Sequence, residues 1–206
     1  PRLDRLPWLA LARYRWFQPH PHEQMLAEID ARSQRTSCFA DVAAQLAPLA
    51  IHMVYEAPCG KQVPVDSPLA YAGGEPLQAV VQSNRQNRLA GFRCEGVNML
   101  YSRFPRTDLF LCPDFLEWIP FSEGRRVLRR ILATARPQYL ALTSCRWLEE
   151  SWDTAPGDFR PVSYRLAPFQ FSEPEKIIDL PARSDRRPDR CLMIWAVPEL
   201  MATGRI

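Results

Sequence analysis

Short apolar runs alternate with longer amphipathic segments along most of this chain. The runs at 51–55, 107–112 and 138–143 are brief and strongly apolar, a pattern typical of strands that are buried on both faces. The segment 122–135 instead places apolar residues at helical intervals opposite an arginine-rich face, which predicts a helix. This alternation predicts an α/β fold in which a mostly parallel sheet carries helices on both faces.

Weaker patterns supply the second and third strands and the helix between them. A short strand is predicted at 69–72, and the residues Gly-Gly-Glu-Pro at 73–76 lead into a helix that begins near Glu75. The next strand is predicted around 92–94. These segments keep the strand-helix-strand order that a parallel sheet requires.

The two ends of the chain carry different elements. Helices are predicted at 21–32 and 37–49, so residues 1–50 are expected to form a helical cap packed on an α/β domain of residues 51–206. Near the other end, apolar segments at 176–179 and 191–197 flank an arginine-rich loop. They predict an antiparallel terminal hairpin.

Size and composition are those of a globular protein. With 206 residues, 47% of them hydrophobic and 11% aromatic, the chain is expected to form one compact domain. No apolar run approaches the roughly 18 residues that a membrane span requires, and the first residues lack the features of a signal peptide. A cytoplasmic location is therefore expected.

The cysteines do not form a metal-binding pattern. None belongs to a C-x-x-C pair, and the three histidines show no ligand spacing with acidic residues, so no metal site is predicted. Reduced, buried thiols are expected instead. The six cysteines are Cys38, Cys59, Cys94, Cys112, Cys145 and Cys191.

Arginine supplies nearly all of the positive charge. The net charge is +3, and Lys61 and Lys176 are the only lysines among 26 basic residues. Arginine suits phosphate, carboxylate and nucleic-acid recognition, although genomic base composition produces the same bias. Basic and aromatic residues do not interleave as they do in single-stranded nucleic-acid binders, so a nucleic-acid partner is not favoured.

The first predicted strand stops abruptly at an acid, a proline and a glycine. Residues 56–60 read Glu-Ala-Pro-Cys-Gly, and ligands of nucleotide-binding α/β folds lie beyond the carboxyl ends of such strands. No G-x-G-x-x-G follows, which weighs against a nicotinamide-dependent oxidoreductase. Pro64 and Pro68 interrupt the place where a cofactor-facing helix normally begins.

Several segments, taken in order, are similar to those of a known superfamily. They lie at 56–60, 71–75, 108–116, 139–144, 157–161 and 167–171. Together they resemble the class I S-adenosylmethionine-dependent methyltransferases, and more closely a bacterial branch whose first strand ends in a D-x-P-C-G-D-F-type turn. The resemblance implies a Rossmann-like fold, S-adenosylmethionine as cofactor, and methyl transfer to a hydroxyl of a sugar or another small polar acceptor.

The resemblance also assigns cofactor contacts by position. Glu75 would accept hydrogen bonds from both ribose hydroxyls, Asn98 would contact the adenine amino group, and Met99 would pack against the adenine ring. From the residues alone, Glu75 equally suits the start of a helix, Asn98 a turn and Met99 the core. The implied cofactor-binding residues are Glu56, Ala57, Pro58, Cys59, Gly60, Glu75, Asn98, Met99 and Cys112.

Catalysis and acceptor binding are assigned beyond the fourth strand. Asp114 would act as the general base that removes the hydroxyl proton. Arg160, with Tyr164 and Arg165, would orient an anionic or phosphorylated acceptor. Arg160 with Asp158 equally suits a structural role, in which the two residues fix the loop before the terminal hairpin.

Departures from the family leave a second interpretation open. Lys61 replaces an acid, the stretch from Gly60 to Glu75 is short, and Trp118 occupies the place of a histidine. The alternative is a catalytically silent relative that has lost the cofactor and serves as a protein partner or regulatory subunit. The aromatic residues that would form its interaction surface are Trp8, Trp16, Phe17, Trp147 and Trp152.

Overall fold

The computed structural model describes residues 38–46, 48–61, 67–87, 92–155, 157–180 and 190–202. The helix predicted at 21–32 and nearly all of the arginine-rich loop at 183–190 lie outside these ranges. So do Trp8, Trp16 and Phe17. Within the described ranges no helix is long and apolar enough to cross a membrane.

The described residues form four α-helices, two short 3-10 helices and a seven-stranded sheet. The α-helices are α1 Cys38–Val42, α2 Gln78–Asn87, α3 Phe121–Ala135 and α4 Val197–Ala202, and the 3-10 helices are Ala43–Gln45 and Leu116–Trp118. The strands are β1 Met53–Glu56, β2 Ala70–Glu75, β3 Arg93–Gly96, β4 Leu109–Cys112, β5 Tyr139–Cys145, β6 Lys176–Asp179 and β7 Arg190–Ala196.

The sheet is mostly parallel with an antiparallel end. The strand order is β3-β2-β1-β4-β5-β7-β6. Strands β1 to β5 pair in parallel, whereas β7 runs antiparallel to both β5 and β6. This arrangement confirms the predicted fold class and the predicted terminal hairpin.

The connectivity of the sheet reverses direction at β1. From β1 the chain moves outward to β2 and β3 and then returns to place β4 on the other side of β1. Such a reversal is a topological switch point, and ligands of open α/β sheets bind there, beyond the carboxyl ends of the strands. The residues that end β1, β2, β3 and β4 are therefore the ones that determine the site.

Strand β4 divides the core into two layers. Successive side chains point to opposite faces of a strand, so Phe110 joins the apolar cluster that contains Val127 and Ile131 of α3. Leu109 and Leu111 instead join a cluster with residues of α1 on the other face. All three β4 side chains have no exposed surface. This two-sided burial explains why the strand is apolar throughout.

Strand β2 is longer than the sequence predicts, because Gly73, Gly74 and Glu75 continue it instead of forming a turn. A Cβ atom at Gly73 would lie 2.6 Å from the Cβ of Cys59, and one at Gly74 would lie 2.5 Å from the Tyr55 hydroxyl. The glycines are thus required by close packing within the sheet. Glu75 ends the strand, and the following helix begins at Gln78 rather than near Glu75.

Candidate active site

Three buried carboxyl groups lie at the carboxyl edge of the parallel strands. Glu56 ends β1, Glu75 ends β2, and Asp114 lies two residues beyond β4. Their exposed fractions are 0%, 4% and 7%. Because a buried carboxylate requires hydrogen-bonding partners, the partners of each show what role it can serve.

Glu56 binds the start of α1. Its carboxylate accepts hydrogen bonds from the backbone N–H of Cys38 at 2.8 Å and of Phe39 at 3.4 Å, and from the hydroxyl of Tyr71. Negative charge at a helix N-terminus satisfies otherwise unpaired N–H groups. The Glu56 side chain thus anchors α1 to the sheet. The Glu56 backbone, rather than its carboxylate, is then the part that leads into the loop after β1.

The loop after β1 is held against β2 and α2. The N–H of Cys59 donates to the carbonyl of Gly74 at 3.0 Å, and the side-chain amide of Asn84 donates to the carbonyl of Gly60 at 2.8 Å. Gly60 has a φ of 60°, in the left-handed region that glycine adopts without strain. Ala57 and Cys59 are buried, Pro58 and Gly60 are half-buried, and Lys61 is exposed.

Glu75 closes this loop onto the end of β2. One carboxylate oxygen accepts a hydrogen bond from the N–H of Gly60 at 2.9 Å, and the other accepts one from the N–H of Leu77 at 3.0 Å. A carboxylate oxygen can accept two hydrogen bonds. These two backbone amides therefore fix the carboxylate at the end of β2, and its contact with ribose hydroxyls stays a prediction.

The end of β3 carries Asn98 and Met99. The N–H of Leu100 donates to the Asn98 side-chain oxygen at 3.0 Å, and the N–H of Asn98 donates to the Ser102 hydroxyl at 2.8 Å. Met99 is 2% exposed and belongs to the main apolar cluster. The turn and core interpretations of these residues are thus confirmed, and their contacts with adenine stay predictions.

Cys112 ends β4 as a buried thiol. It is 1% exposed. Burial, together with the negative charges of Glu117 and Asp114, holds the pKa of this thiol well above its ordinary value. Cys112 is therefore a protonated, unreactive group at neutral pH. It can contribute only shape to the site.

Asp114 forms a two-bond ion pair with Arg190 of β7. The arginine Nε lies 2.9 Å from one carboxylate oxygen and Nη2 lies 2.7 Å from the other. Burial alone would lower the pKa of Arg190, but the charge of Asp114 outweighs it and raises that pKa. The N–H of Asp114 also donates to the hydroxyl of Thr143 at 2.9 Å.

This pairing bears on the predicted catalytic role of Asp114. A carboxylate that accepts two bonds from a guanidinium is stabilised in its charged form and is a weaker base. Asp114 also has a φ of 50°, in the left-handed region that aspartate adopts more readily than most side chains. The geometry favours a structural role, and general base catalysis by Asp114 stays a prediction.

The residues predicted to bind the acceptor do not converge on one surface. Tyr164 is 1% exposed and packs among Phe169, Phe171 and Trp195, and burial raises its pKa well above the ordinary value. Arg165 is exposed and pairs with Glu173 at 2.7 Å. Of the three, Arg160 lies nearest to the segment that follows β4.

Arg160 is buried beside the start of α3. Its Nη2 donates to the carbonyl of Ile119 at 2.9 Å, and its guanidinium carbon lies 3.9 Å from the centre of the Phe121 ring. Within the described part of the chain, its Nε and Nη1 have no hydrogen-bond partner. Burial lowers the pKa of this guanidinium. Two unsatisfied N–H positions on a buried cation would be stabilised by an anion.

Two features were not predicted from the sequence. The sequence does not indicate Arg190 as the partner of Asp114, because Arg190 belongs to the arginine-rich segment that is predicted to be a loop. A cavity of about 620 Å³ lies over the outer strands, and its lining includes Tyr55, Asn84, Phe92 and Cys94. No group of three or more metal-ligating side chains occurs among the described residues. Trp147 and Trp152 are 75% and 51% exposed.

Comparisons with known proteins place this geometry in a recognised fold. The sequence matches no protein-family model and no curated protein. Human N-acetylserotonin methyltransferase, solved in complex with S-adenosylmethionine, is similar in structure with a TM-score of 0.55 and 11% identity over 93% of this chain and 60% of that chain. A structure concerning the conversion of a disulfide bond into a thioacetal group during echinomycin biosynthesis has a TM-score of 0.53 and 16% identity, covering 96% of each chain. With the strand order above, these likenesses establish the Rossmann-like fold of the class I methyltransferases.

Proposed function

We propose that this protein is an S-adenosylmethionine-dependent methyltransferase that methylates a hydroxyl of a sugar or another small polar acceptor. The observation that carries the proposal is the carboxylate of Glu75. It is buried at the carboxyl end of β2, beside the switch point of a methyltransferase fold. A ribose diol is a chemically suitable partner for a carboxylate in that position.

The residues at this edge fit the cofactor in their donor and acceptor chemistry. Glu75 would hold the ribose, Asn98 and Met99 would meet the adenine, and the backbone from Glu56 to Gly60 would face the methionine part. Gly60 presents no side chain that would obstruct a ligand. When bound, the cofactor supplies an electrophilic methyl group on a sulfonium, so the chain itself must mainly position the acceptor.

Arg160 supports an acceptor that carries negative charge. Its unsatisfied Nε and Nη1 and its contact with the segment that follows β4 suit a phosphate or carboxylate on the acceptor. Asp114 would receive the hydroxyl proton only if its bond to Arg190 weakens when the acceptor binds.

The test is transfer of a labelled methyl group from S-adenosylmethionine to a panel of small acceptors. The panel pairs each neutral sugar with its phosphate or uronate. We expect labelled product with at least one charged member, and Arg160→Lys should raise KM for that acceptor more than for its neutral counterpart. Cofactor binding without transfer to any acceptor would contradict the proposed acceptor class. Absence of cofactor binding would reject the proposal and favour the catalytically silent alternative.

A further inference from the structure

Two cysteines face each other beside the candidate cofactor loop. The Sγ atoms of Cys59, in the loop after β1, and Cys94, in β3, lie 3.9 Å apart. The side-chain amide of Asn84 lies 4.0 Å from the first sulfur and 3.6 Å from the second. All six cysteines of the chain lie in the described ranges, and all six are thiols in this structure.

The pair is placed for reaction with a small oxidant. Cys94 is 9% exposed and lines the cavity over the outer strands, whereas Cys59 is 1% exposed. Exposed side chains of Arg85 and Arg93 belong to the same lining, so the cavity opens at the surface. A reagent would therefore reach Cys94 first, and Cys59 lies behind it.

The ionisation of the two thiols follows the same order. The hydrogen bond from Cys59 lowers the pKa of the Cys94 thiol, and the amide of Asn84 contributes in the same direction. The hydrogen bond to Cys94, together with burial, raises the pKa of the Cys59 thiol. Because the thiolate is the nucleophile in disulfide exchange, Cys94 is the attacking group and Cys59 the resolving one.

We propose that Cys59 and Cys94 form a reversible disulfide that controls the loop after β1. With a low-molecular-weight disulfide as oxidant, the Cys94 sulfur attacks one oxidant sulfur, and the oxidant's S–S bond breaks to release one thiol. The Cys59 sulfur then attacks the Cys94 sulfur of the mixed disulfide and releases the second thiol. Two protein thiols are oxidised, one small disulfide is reduced, and the two thiol protons leave on the released thiols.

Closure of this bond would move the candidate cofactor loop. The two sulfurs must approach from 3.9 Å to the bonded distance of about 2 Å. Cys59 directly precedes Gly60, whose N–H donates to Glu75 and whose carbonyl accepts from Asn84. The Cys59 side chain is already packed tightly against Gly73, because it fills the space where a Cβ atom of residue 73 would lie. A displacement of Cys59 is therefore transmitted to Gly60 and Glu75.

The experiment treats the purified full chain with 2-hydroxyethyl disulfide, blocks remaining thiols, and maps the peptides by mass spectrometry. We expect a linked peptide that joins Cys59 to Cys94 and is cleaved by dithiothreitol. Cys59→Ser should instead accumulate the mixed disulfide on Cys94. In Cys94→Ser, Cys59 should react at least about tenfold more slowly than Cys94 does in the wild type. Cys145→Ser, which removes an equally buried thiol elsewhere, should leave the link intact.

Several results would overturn the proposal. Six unmodified thiols after treatment, a link between either residue and another cysteine, or faster modification at Cys59 than at Cys94 would each do so. The oxidised protein should also bind S-adenosylhomocysteine about tenfold more weakly than the reduced protein. That loss is equivalent to one charge-assisted hydrogen bond. This second readout rests on the proposed function: if neither form binds, that function fails, while peptide mapping still decides the disulfide.

Discussion

Glu75 and Asp114 are both buried carboxyl groups at the same edge of the sheet, but they are held by different partners. Glu75 accepts hydrogen bonds from the backbone N–H groups of Gly60 and Leu77. Asp114 accepts two bonds from the guanidinium of Arg190. The described partners of Glu75 are thus neutral dipoles, whereas Asp114 is matched by a full positive charge.

The difference separates the proposed ligand site from a structural bond. A carboxylate held by backbone amides can add a ligand's hydroxyl groups to its shell, because its oxygens accept more than one hydrogen bond each. A carboxylate in a buried ion pair loses its best partner if it turns to a substrate, and the uncompensated cation then costs several kcal/mol. The edge near β2 is therefore suited to binding, and the edge near β4 to holding β7 in place.

Removing one member of the ion pair should have the largest effect on stability. We expect Asp114→Ala to lower the free energy of unfolding by about 3–5 kcal/mol, because Arg190 would remain buried without its counter-charge. Urea unfolding followed by circular dichroism measures this loss. The double variant Asp114→Ala with Arg190→Met should recover much of it, because no unpaired buried charge then remains. A loss below about 1 kcal/mol in Asp114→Ala would show that the pair is not buried as described.

Adding one methyl group to β2 should destabilise the packing of the loop after β1 on this strand. Gly73→Ala should lower the free energy of unfolding by about 1–3 kcal/mol, since its Cβ would lie 2.6 Å from the Cβ of Cys59. Gly96→Ala is the matched control, because the atom nearest to its new Cβ is the flexible end of Gln78 at 3.5 Å. Equal stability of the two variants would contradict the close packing of Cys59 on β2.

A third carboxylate, that of Asp108, has amide donors as its hydrogen-bond partners. Its removal therefore measures the stability that such hydrogen bonds provide. Asp108, just before β4, accepts hydrogen bonds from the N–H groups of His52 and Met53 at 2.8 and 2.9 Å. Burial would raise its pKa, but these bonds outweigh that effect and lower it. Asp108→Asn should therefore cost about 0.5–1.5 kcal/mol at neutral pH, less than the loss of Asp114.

The stability lost in Asp108→Asn should depend on pH, because the pKa of Asp108 is lowered in the folded state. A carboxylate whose pKa is lower in the folded state stabilises the fold above its unfolded pKa, and this contribution is lost as the pH falls. The gap between wild type and Asp108→Asn, measured by urea unfolding, should therefore narrow below about pH 4. A gap that stays constant between neutral and acid pH would exclude the carboxylate as its source.

Much of the fold was predictable because its strands are local apolar patterns. The segments at 107–112 and 138–143 contain β4 and most of β5, and the hairpin segment at 176–179 coincides with β6. Strand β2 was predicted too short because glycines have low strand propensity. The reason for Gly73 and Gly74 lies in Cys59 and Tyr55, which reach them only after the sheet has formed.

The site was less predictable, because its chemistry depends on distant partners. The position of Glu75 followed from the order of elements, since an acid at the end of β2 needs no tertiary information. The partner of Asp114 lies 76 residues away, and no local pattern predicts such a contact. Tyr164 and Arg165 are neighbours in sequence, yet one is buried and the other exposed, and this difference depends on packing that no local pattern predicts.

Calorimetric titration of S-adenosylhomocysteine into three proteins tests the central claim, that Glu75 holds the cofactor. Compared with wild type, Glu75→Gln should weaken binding by about 1–3 kcal/mol, roughly a fivefold to 150-fold change in Kd. Glu95→Gln makes the same chemical change on β3, where the carboxylate accepts a bond from Tyr55, and should leave Kd unchanged. Equal binding by all three proteins, or no binding by the wild type, would contradict the claim.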